Sequence, residues 1–304
     1  MQRQIQVSFN KNECYTVVMN WFVLALISSI TLSLREFAVK KAGKDLSSAF
    51  MSWGLNFIMF LIILALNVIF INYHTITMSF VWVLIIAAIL DSLATVLYLW
   101  AIKEGDLSKI IPMLCFIPVI QLFVTPVLVH EKLSLIGISG VLVVVFGSYI
   151  LNMETWDGVL SPIKSISKDK SSMMMLAVAC IWGVSSSFHK IGVKQTDALF
   201  WGASEIGLIA LFLFPFAIWS GKDDFSFPKL KQTLWPAIFS TMTVLSYYAA
   251  IGLGPVAYVS SVRRLGVLFS MLIGILIFKE KTKRLSFAGG IIMITGAGII
   301  SLFG

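Results

Sequence analysis

Long apolar stretches alternate with short polar breaks along nearly the whole chain, and this pattern predicts membrane-spanning helices. Each stretch approaches the length of about 20 residues that crosses a hydrocarbon core of roughly 30 Å. Because the apolar runs are continuous rather than alternating, we expect helices and not the strands of an outer-membrane barrel. The ten predicted spans cover residues 17–39, 47–71, 78–102, 107–129, 134–151, 172–193, 198–219, 230–252, 256–278 and 286–303.

One longer polar segment, residues 152–171, divides the ten spans into five and five. We therefore predict an N-terminal segment over 1–16, a first five-helix repeat over 17–151, a linker over 152–171 and a second five-helix repeat over 172–304. Since five is an odd number, the second repeat enters the membrane from the opposite side. The predicted fold is an all-α polytopic membrane protein with ten transmembrane helices in two inverted five-helix repeats. Such repeats permit two related conformations that open to opposite faces.

A constant sequence offset of 149 supports the duplication. Residues 98–151 are echoed by residues 247–300, and the residues that are rare in an apolar chain coincide. The same offset places Lys41 on Lys190 and Asn56 on Glu205. Internal repeats of this kind are common in transporters. The coinciding pairs are Tyr98 with Tyr247, Gly105 with Gly254, Glu131 with Glu280, Lys132 with Lys281, Gly140 with Gly289 and Gly147 with Gly296.

The composition agrees with a membrane protein and narrows the function. Apolar residues make up 58% of the chain and charged residues 12%, about half the usual charged share. The net charge of +8 lies mainly in the breaks between spans, so it indicates membrane topology and not a nucleic-acid partner. The three cysteines and three histidines are widely spaced, and we expect no metal site, disulfide framework or cofactor. The partners expected are the lipid bilayer and a small-molecule substrate.

Polar groups inside the apolar spans are the candidates for function. Asp91 lies near the middle of the third span and Glu205 in the seventh, where an unpaired carboxylate costs several kcal/mol. Asp91 is either a proton or substrate site, or a polar kink satisfied by Ser92, by Thr95 or by a neighbouring helix. Asn56 stands opposite Glu205 in the repeat, so both halves carry a polar group at this depth.

Basic and small polar residues extend this list. Arg263 and Arg264 lie about one third of the way along the ninth span, where one of them can bind an anionic group or serve as counter-ion to Asp91 or Glu205. We favour the counter-ion role, because an unpaired arginine is costly there. Lys41 and Lys190 end the first and sixth spans, and Ser186 lies in a serine-rich turn suited to close packing or cavity lining.

The two repeat endings carry a family resemblance. They read IIPMLCFIPVIQLFVTPVLVHEKLSLIGISGVLVVVFG and VSSVRRLGVLFSMLIGILIFKEKTKRLSFAGGIIMITGAG, each a helix ending in Glu, a short basic turn and a Gly-containing final helix. Trp182-Gly183 followed by Lys190 adds an opening-helix motif. Over residues 17–303 the chain resembles the drug/metabolite transporter superfamily, in particular its EamA-type members. It departs from them at Ser33-Leu34, where the first repeat lacks the Trp-Gly pair.

The resemblance implies a central cavity lined by spans 1–4 and 6–9, with spans 5 and 10 peripheral, and export or exchange of small metabolites. It also implies cytoplasmic termini, whereas the excess of Lys and Arg in the breaks after the odd-numbered spans predicts external termini. Both orientations therefore stay open.

The function expected is secondary transport of small polar metabolites by alternating access across the plasma (inner) membrane. Coupling to a proton would run through Asp91 or Glu205. The alternatives are an exchanger of phosphorylated or sugar-linked anions that uses Arg263 or Arg264, and a non-transporting membrane scaffold. An enzyme is not expected, because no HExxH or GxSxG motif and no carboxylate–histidine cluster is visible in the sequence.

Overall fold

The computed structural model describes residues 11–42, 45–70, 74–104, 110–151, 169–278 and 284–304. Long helices account for most of these residues, and no strand occurs among them. The first ten residues and most of the predicted linker, 152–168, lie outside the described residues. The helices are α1 (Lys11–Ala42), α2 (Ser48–Ile69), α3 (Met78–Glu104), α4 (Ile117–Leu128), α5 (Leu135–Leu151), α6 (Lys170–Gln195), α7 (Ala198–Gly221), α8 (Leu234–Leu253), α9a (Val256–Arg263), α9b (Leu265–Phe278) and α10 (Arg284–Phe303). A 3₁₀ segment (Ile111–Phe116) precedes α4, and a 3₁₀ turn (Lys222–Asp224) and a short helix (Phe227–Gln232) precede α8.

The prediction of an all-α polytopic membrane protein is confirmed. Within the described residues, nine segments are long and apolar enough to cross a membrane, and α5 is a shorter apolar helix. Each of the ten overlaps one predicted span. Large apolar side chains such as Leu135, Trp219 and Leu302 are more than three quarters exposed on the outer surface, where acyl chains would cover them.

Equivalent helices of the two halves pack together in symmetric pairs. α1 packs on α8 as α6 packs on α3, and α1 packs on α9b as α6 packs on α4. α2 packs on α7 and α5 on α10, so each of these four helices meets its own counterpart. Exchanging the halves maps one set of contacts onto the other, and the chain is therefore two repeated halves joined face to face.

Glycines bring α5 and α10 into backbone contact. A Cβ added to Gly147 would lie 2.8 Å from the carbonyl oxygen of Gly289, and one added to Gly289 would lie 2.5 Å from the amide nitrogen of Leu151. Two turns further along, a Cβ on Gly296 would lie 2.8 Å from the carbonyl oxygen of Gly140. These glycines act as the packing residues that small side chains provide between membrane helices.

Both halves interrupt their fourth helix at the same level. In the first half, the 3₁₀ segment ends at Phe116, where Pro112 and Pro118 remove two backbone donors. In the second half, the Arg264 N–H is shared between the carbonyls of Ser260 (3.2 Å) and Ser261 (3.1 Å) as α9a ends. The offset of 149 carries Phe116 onto the first residue of α9b. Interrupted helices at equivalent depths are typical of the binding sites of repeat transporters.

Polar contacts between the halves fix both ends of the α2–α7 pair. At one end, the Ser47 N–H donates to Asp224 Oδ2 at 2.8 Å, and Asp224 also pairs with Lys229. At the other end, Asp197 caps α7 and pairs with Nε2 of His74 at 2.9 Å. Neither α2 nor α7 can slide along its partner without breaking one of these contacts.

Candidate functional site

His189 of α6 lies between the two buried carboxylates that the sequence singled out. Its Nε2 is 3.2 Å from Oδ2 of Asp91 on α3, and its Nδ1 is 3.1 Å from Oε1 of Glu205 on α7. The side chains are 11% or less exposed, and that of Glu205 is fully buried. The second contact is close but not aligned as a hydrogen bond. Three helices thus converge on one imidazole, and we call Asp91, His189 and Glu205 the triad.

Two hydroxyl groups complete the surroundings of the triad. The Ser185 hydroxyl donates to Asp91 Oδ2 at 2.8 Å and lies 3.2 Å from His189 Nε2. The Tyr248 hydroxyl of α8 donates to Glu205 Oε2. Ser185 is four residues before His189 in α6, so both side chains project from the same face of that helix.

The expectation that the histidines are isolated, with no carboxylate–histidine cluster, is wrong. His189 is far from Asp91 in the sequence, and only the packing of α3 against α6 brings them together. Of the partners expected for a polar kink, Ser92 and Thr95 do not satisfy the Asp91 carboxylate, whereas a neighbouring helix does, because Ser185 and His189 of α6 contact it. Thr95 donates instead to the backbone carbonyl of Asp91, and the Ser92 hydroxyl has no partner among the described residues.

The triad is suited to holding a proton. A neutral imidazole has one N–H and can donate to one carboxylate, whereas the imidazolium ion donates to both. Each triad residue also offers one atom that could ligate a metal, and these atoms lie within 4.8 Å of one another, a spacing that a metal ion can use. However, each ring nitrogen faces a different carboxylate, and an ion bound to one nitrogen would have to draw both carboxylates to the same side. The geometry therefore fits a shared proton better than an ion.

The predicted counter-ion role of the arginines is wrong. Among the described residues, no carboxylate lies within ion-pair distance of Arg263 or Arg264, because His189 engages both triad carboxylates. Arg263 instead places its guanidinium 4.6 Å from the ring centroid of Tyr247, a cation–π contact. Both arginines are half-buried at the break between α9a and α9b.

Lys190 belongs to a separate polar contact, at the end of the bundle where α10 ends. Its Nζ is 2.5 Å from Oε1 of Glu131 and donates to the Gly254 carbonyl at 2.8 Å. The two Glu131 oxygens also accept the Val256 N–H, at 3.0 and 3.1 Å. Both charged side chains are 6% exposed. We call this contact the polar seal, because it joins the α4–α5 loop to α6 and to the α8–α9a turn.

The remaining predicted residues lie outside the triad. Lys41, the repeat counterpart of Lys190, is exposed at the end of α1. Asn56 donates to the Ser52 carbonyl of its own helix at 2.8 Å. Ser186 accepts from Gln121 of α4 at 2.8 Å, and its neighbour Ser185 is the serine that reaches Asp91. The sequence reasoning missed Tyr248 and Ser185 as triad contacts. The sequence signals for Ser185 are its place in the serine-rich turn and its helical spacing from His189.

Comparison with known families gives the class of protein. The model of the EamA-like transporter family matches residues 19–153 and again 170–302, once in each half. The chain belongs to the EamA-like transporter family. The predicted resemblance is thereby confirmed, and the chain is an integral multi-pass membrane transporter and not a member of an enzyme family.

Solved structures support the fold of this EamA-like transporter. One of the 29 matching chains, described only as "Crystal structure of protein", has a TM-score of 0.73 and 14% sequence identity. The match covers 95% of the EamA-like transporter and 99% of that chain. No curated protein matches it by sequence. At this identity the likeness concerns the fold alone.

Proposed function

We propose that this EamA-like chain is a proton-coupled secondary transporter that exports or exchanges small polar metabolites by alternating access. Its two repeats would span residues 17–151 and 172–304, joined by a linker, in the plasma (inner) membrane. The observation that carries the proposal is the triad. It places one imidazole between carboxylates from two other helices, away from bulk water.

A proton would change how the helices of the bundle hold together. With His189 protonated, α6 can donate to Asp91 of α3 and to Glu205 of α7 at once. Without that proton, one ring nitrogen presents a lone pair to a carboxylate, and the net negative charge in the apolar interior grows by one. Loading and releasing the proton therefore favours different arrangements of α3, α6 and α7. A ligand drives transport only by such a difference between states.

The polar seal supports alternating access. It closes the end of the bundle where α10 ends, with a buried ion pair between the two halves. Opening that end requires Lys190 and Glu131 to separate. The exposed Lys41 stands at the equivalent position of the other half. Inverted repeats exchange the surroundings of equivalent positions between their two conformations.

Reconstituted protein tests the proposal directly. Purified protein in liposomes would be screened with labelled amino acids, nucleosides, sugars and organic anions, with and without a pH gradient. We expect uphill accumulation of at least one solute. For each proton that moves with the solute, one pH unit can sustain a concentration ratio of about tenfold. Asp91→Asn, Glu205→Gln and His189→Gln should each reduce accumulation to the level without a gradient. The exposed residues Asp223 and His130 supply the matched controls Asp223→Asn and His130→Gln.

The possible results separate the alternatives. If pH-driven accumulation survives in all three triad variants, proton coupling through the triad is wrong. If no solute moves under any gradient, the transporter proposal fails and a non-transporting scaffold becomes the better explanation. The anion-exchanger alternative is favoured by one further observation, the arginines without a described carboxylate partner.

A further inference from the structure

The end of α9a meets the start of α9b at a group of arginines that form no ion pair with a carboxylate among the described residues. Arg263 is the last residue of α9a, and Arg264 forms the break before α9b. Arg35 of α1 is close enough for its charge to interact with that of Arg263. All three are half-buried and belong to membrane-spanning segments.

The carboxylates near these arginines are engaged elsewhere. Asp91 and Glu205 face His189 in the triad. Glu36 is close enough to interact electrostatically with Arg264, but it forms no ion pair with it among the described residues, and it accepts the Ser270 hydroxyl at 2.7 Å. Within the described part of the chain, none of the three guanidinium groups thus has a carboxylate at ion-pair distance. Such an excess of positive charge inside a membrane is costly unless another anion offsets it.

Two of the guanidinium groups keep a donor unused. The Nε atoms of Arg35 and Arg263 are buried and have no hydrogen-bond partner within the described part of the chain. Buried donors of this kind are normally satisfied. Arg263 is also held in place by its cation–π contact with Tyr247, whose hydroxyl lies 3.3 Å from that of Ser260. The N–H donors of the Arg263 guanidinium are therefore oriented before any ligand arrives.

We propose that Arg35, Arg263 and Arg264 form the binding site for a carboxylate or phosphate group of the transported solute. Arginine's planar fork matches these two anions, because it donates two parallel hydrogen bonds to them. The break in α9 places the site at the level where repeat transporters bind their solutes. Aromatic rings stand beside the site: Tyr98, which interacts with Arg264, packs on Trp182 at 5.6 Å between ring centroids. The inference rests on the proposed transport function, since it names the solute class for the same pathway.

Binding measured without transport tests the site. Purified protein in phosphatidylcholine nanodiscs would be heated with succinate or inorganic phosphate, and with the uncharged succinamide or glycerol, at constant ionic strength. A ligand that binds only the folded state raises the unfolding midpoint. We expect the anions, and not the uncharged compounds, to raise it. The better of the two anions identifies the group as carboxylate or phosphate.

Variants locate the binding. We expect anion binding to weaken at least tenfold in each of Arg35→Gln, Arg263→Gln and Arg264→Gln. The exposed Lys132→Gln should leave it unchanged. Should a glutamine variant fail to fold, Arg263→Lys keeps the charge but loses the fork, and binding should weaken to an intermediate degree. Tyr247→Phe should bind nearly as well as the wild type, whereas Tyr247→Leu, which lacks a ring, should not.

Several results would overturn the proposal. It fails if the anions stabilise the protein no more than their uncharged counterparts, or if the three glutamine variants bind as the wild type does. It also fails if only added phosphatidylglycerol has an effect, because the site would then hold a lipid headgroup. A protein that shows no anion binding but accumulates neutral solutes under a pH gradient refutes this inference alone. Anion binding at the arginines without any transport refutes the proposed function alone.

Discussion

Glu131→Gln removes the charge that holds the polar seal together, and its effect follows from the contacts of that residue. Lys190 would keep the Gly254 carbonyl as an acceptor but lose its counter-ion at a side chain that is 6% exposed. Removing one partner of a buried ion pair costs about 3–5 kcal/mol. Since every 1.4 kcal/mol is roughly a factor of ten in population, the sealed state would lose about a hundred-fold to a few thousand-fold relative to an unsealed one.

Hydrogen exchange in nanodiscs measures that loss at the seal itself. The Val256 N–H, which donates to both Glu131 oxygens, lies in the first turn of α9a. Peptides covering this turn should exchange much faster in Glu131→Gln than in the wild type. The first turn of α2, where Ser47 is held by Asp224 at the other end of the bundle, should not change. Lys132→Gln, an exposed charge change beside Glu131, is the matched control.

A double variant separates the ion pair from the rest of the seal. Replacing both partners of a buried pair by apolar residues of similar size is often neutral. Glu131→Gln with Lys190→Met likewise leaves neither charge buried alone, and it keeps an oxygen for the Val256 N–H, so the α9a turn should exchange more slowly than in Glu131→Gln. If Glu131→Gln exchanges as slowly as Lys132→Gln, the ion pair does not hold this end closed, and the reasoning is refuted.

Thermal unfolding checks three further predictions. Gly289→Ala should lower the midpoint by the equivalent of about 1–3 kcal/mol, because its Cβ would overlap the α5 backbone. The control Gly298→Ala should not lower it, since a Cβ there meets nothing within 4 Å. Equal midpoints would contradict the close α5–α10 packing. Asp197→Ala removes the acceptor of two N–H groups at the start of α7, a loss of about 0.5–2 kcal/mol, and Asp197→Asn should recover most of it. Tyr248→Phe deletes the hydroxyl that donates to Glu205 and should lower the free energy of unfolding by about 1.5–3 kcal/mol. An unchanged midpoint would show that this contact adds no stability.

The sequence predicted the helices well because the signal for a membrane span is local. A run of apolar residues of sufficient length has to be a helix in lipid, whatever its neighbours are. The break in α9 was not predicted, although Arg263 and Arg264 interrupt the apolar run there. The offset of 149 also identified the glycines of α5 and α10, since residues that pack against their own counterparts occur in both halves.

The triad could not be predicted in the same way, because it has no symmetric counterpart. At the offset of 149, His189 aligns with Lys40, Asp91 with Ser240 and Glu205 with Asn56. The repeat relates positions within the two halves, but it does not say which helices of opposite halves touch. Asp91 and Glu205 stood out as carboxylates in apolar spans, whereas His189 resembled an interfacial residue beside Lys190.

One helix connects the triad to the arginines. Tyr247 and Tyr248 are consecutive in α8, and their side chains point about 100° apart. The first ring lies against Arg263, and the hydroxyl of the second donates to Glu205. An anion that draws Arg263 toward itself would alter the position of Tyr247, and a shift of α8 would change the contact that holds Glu205. Coupling between two sites requires an element that both of them bias. In this transporter α8 contacts both sites, so solute binding and proton binding can act on the same helix.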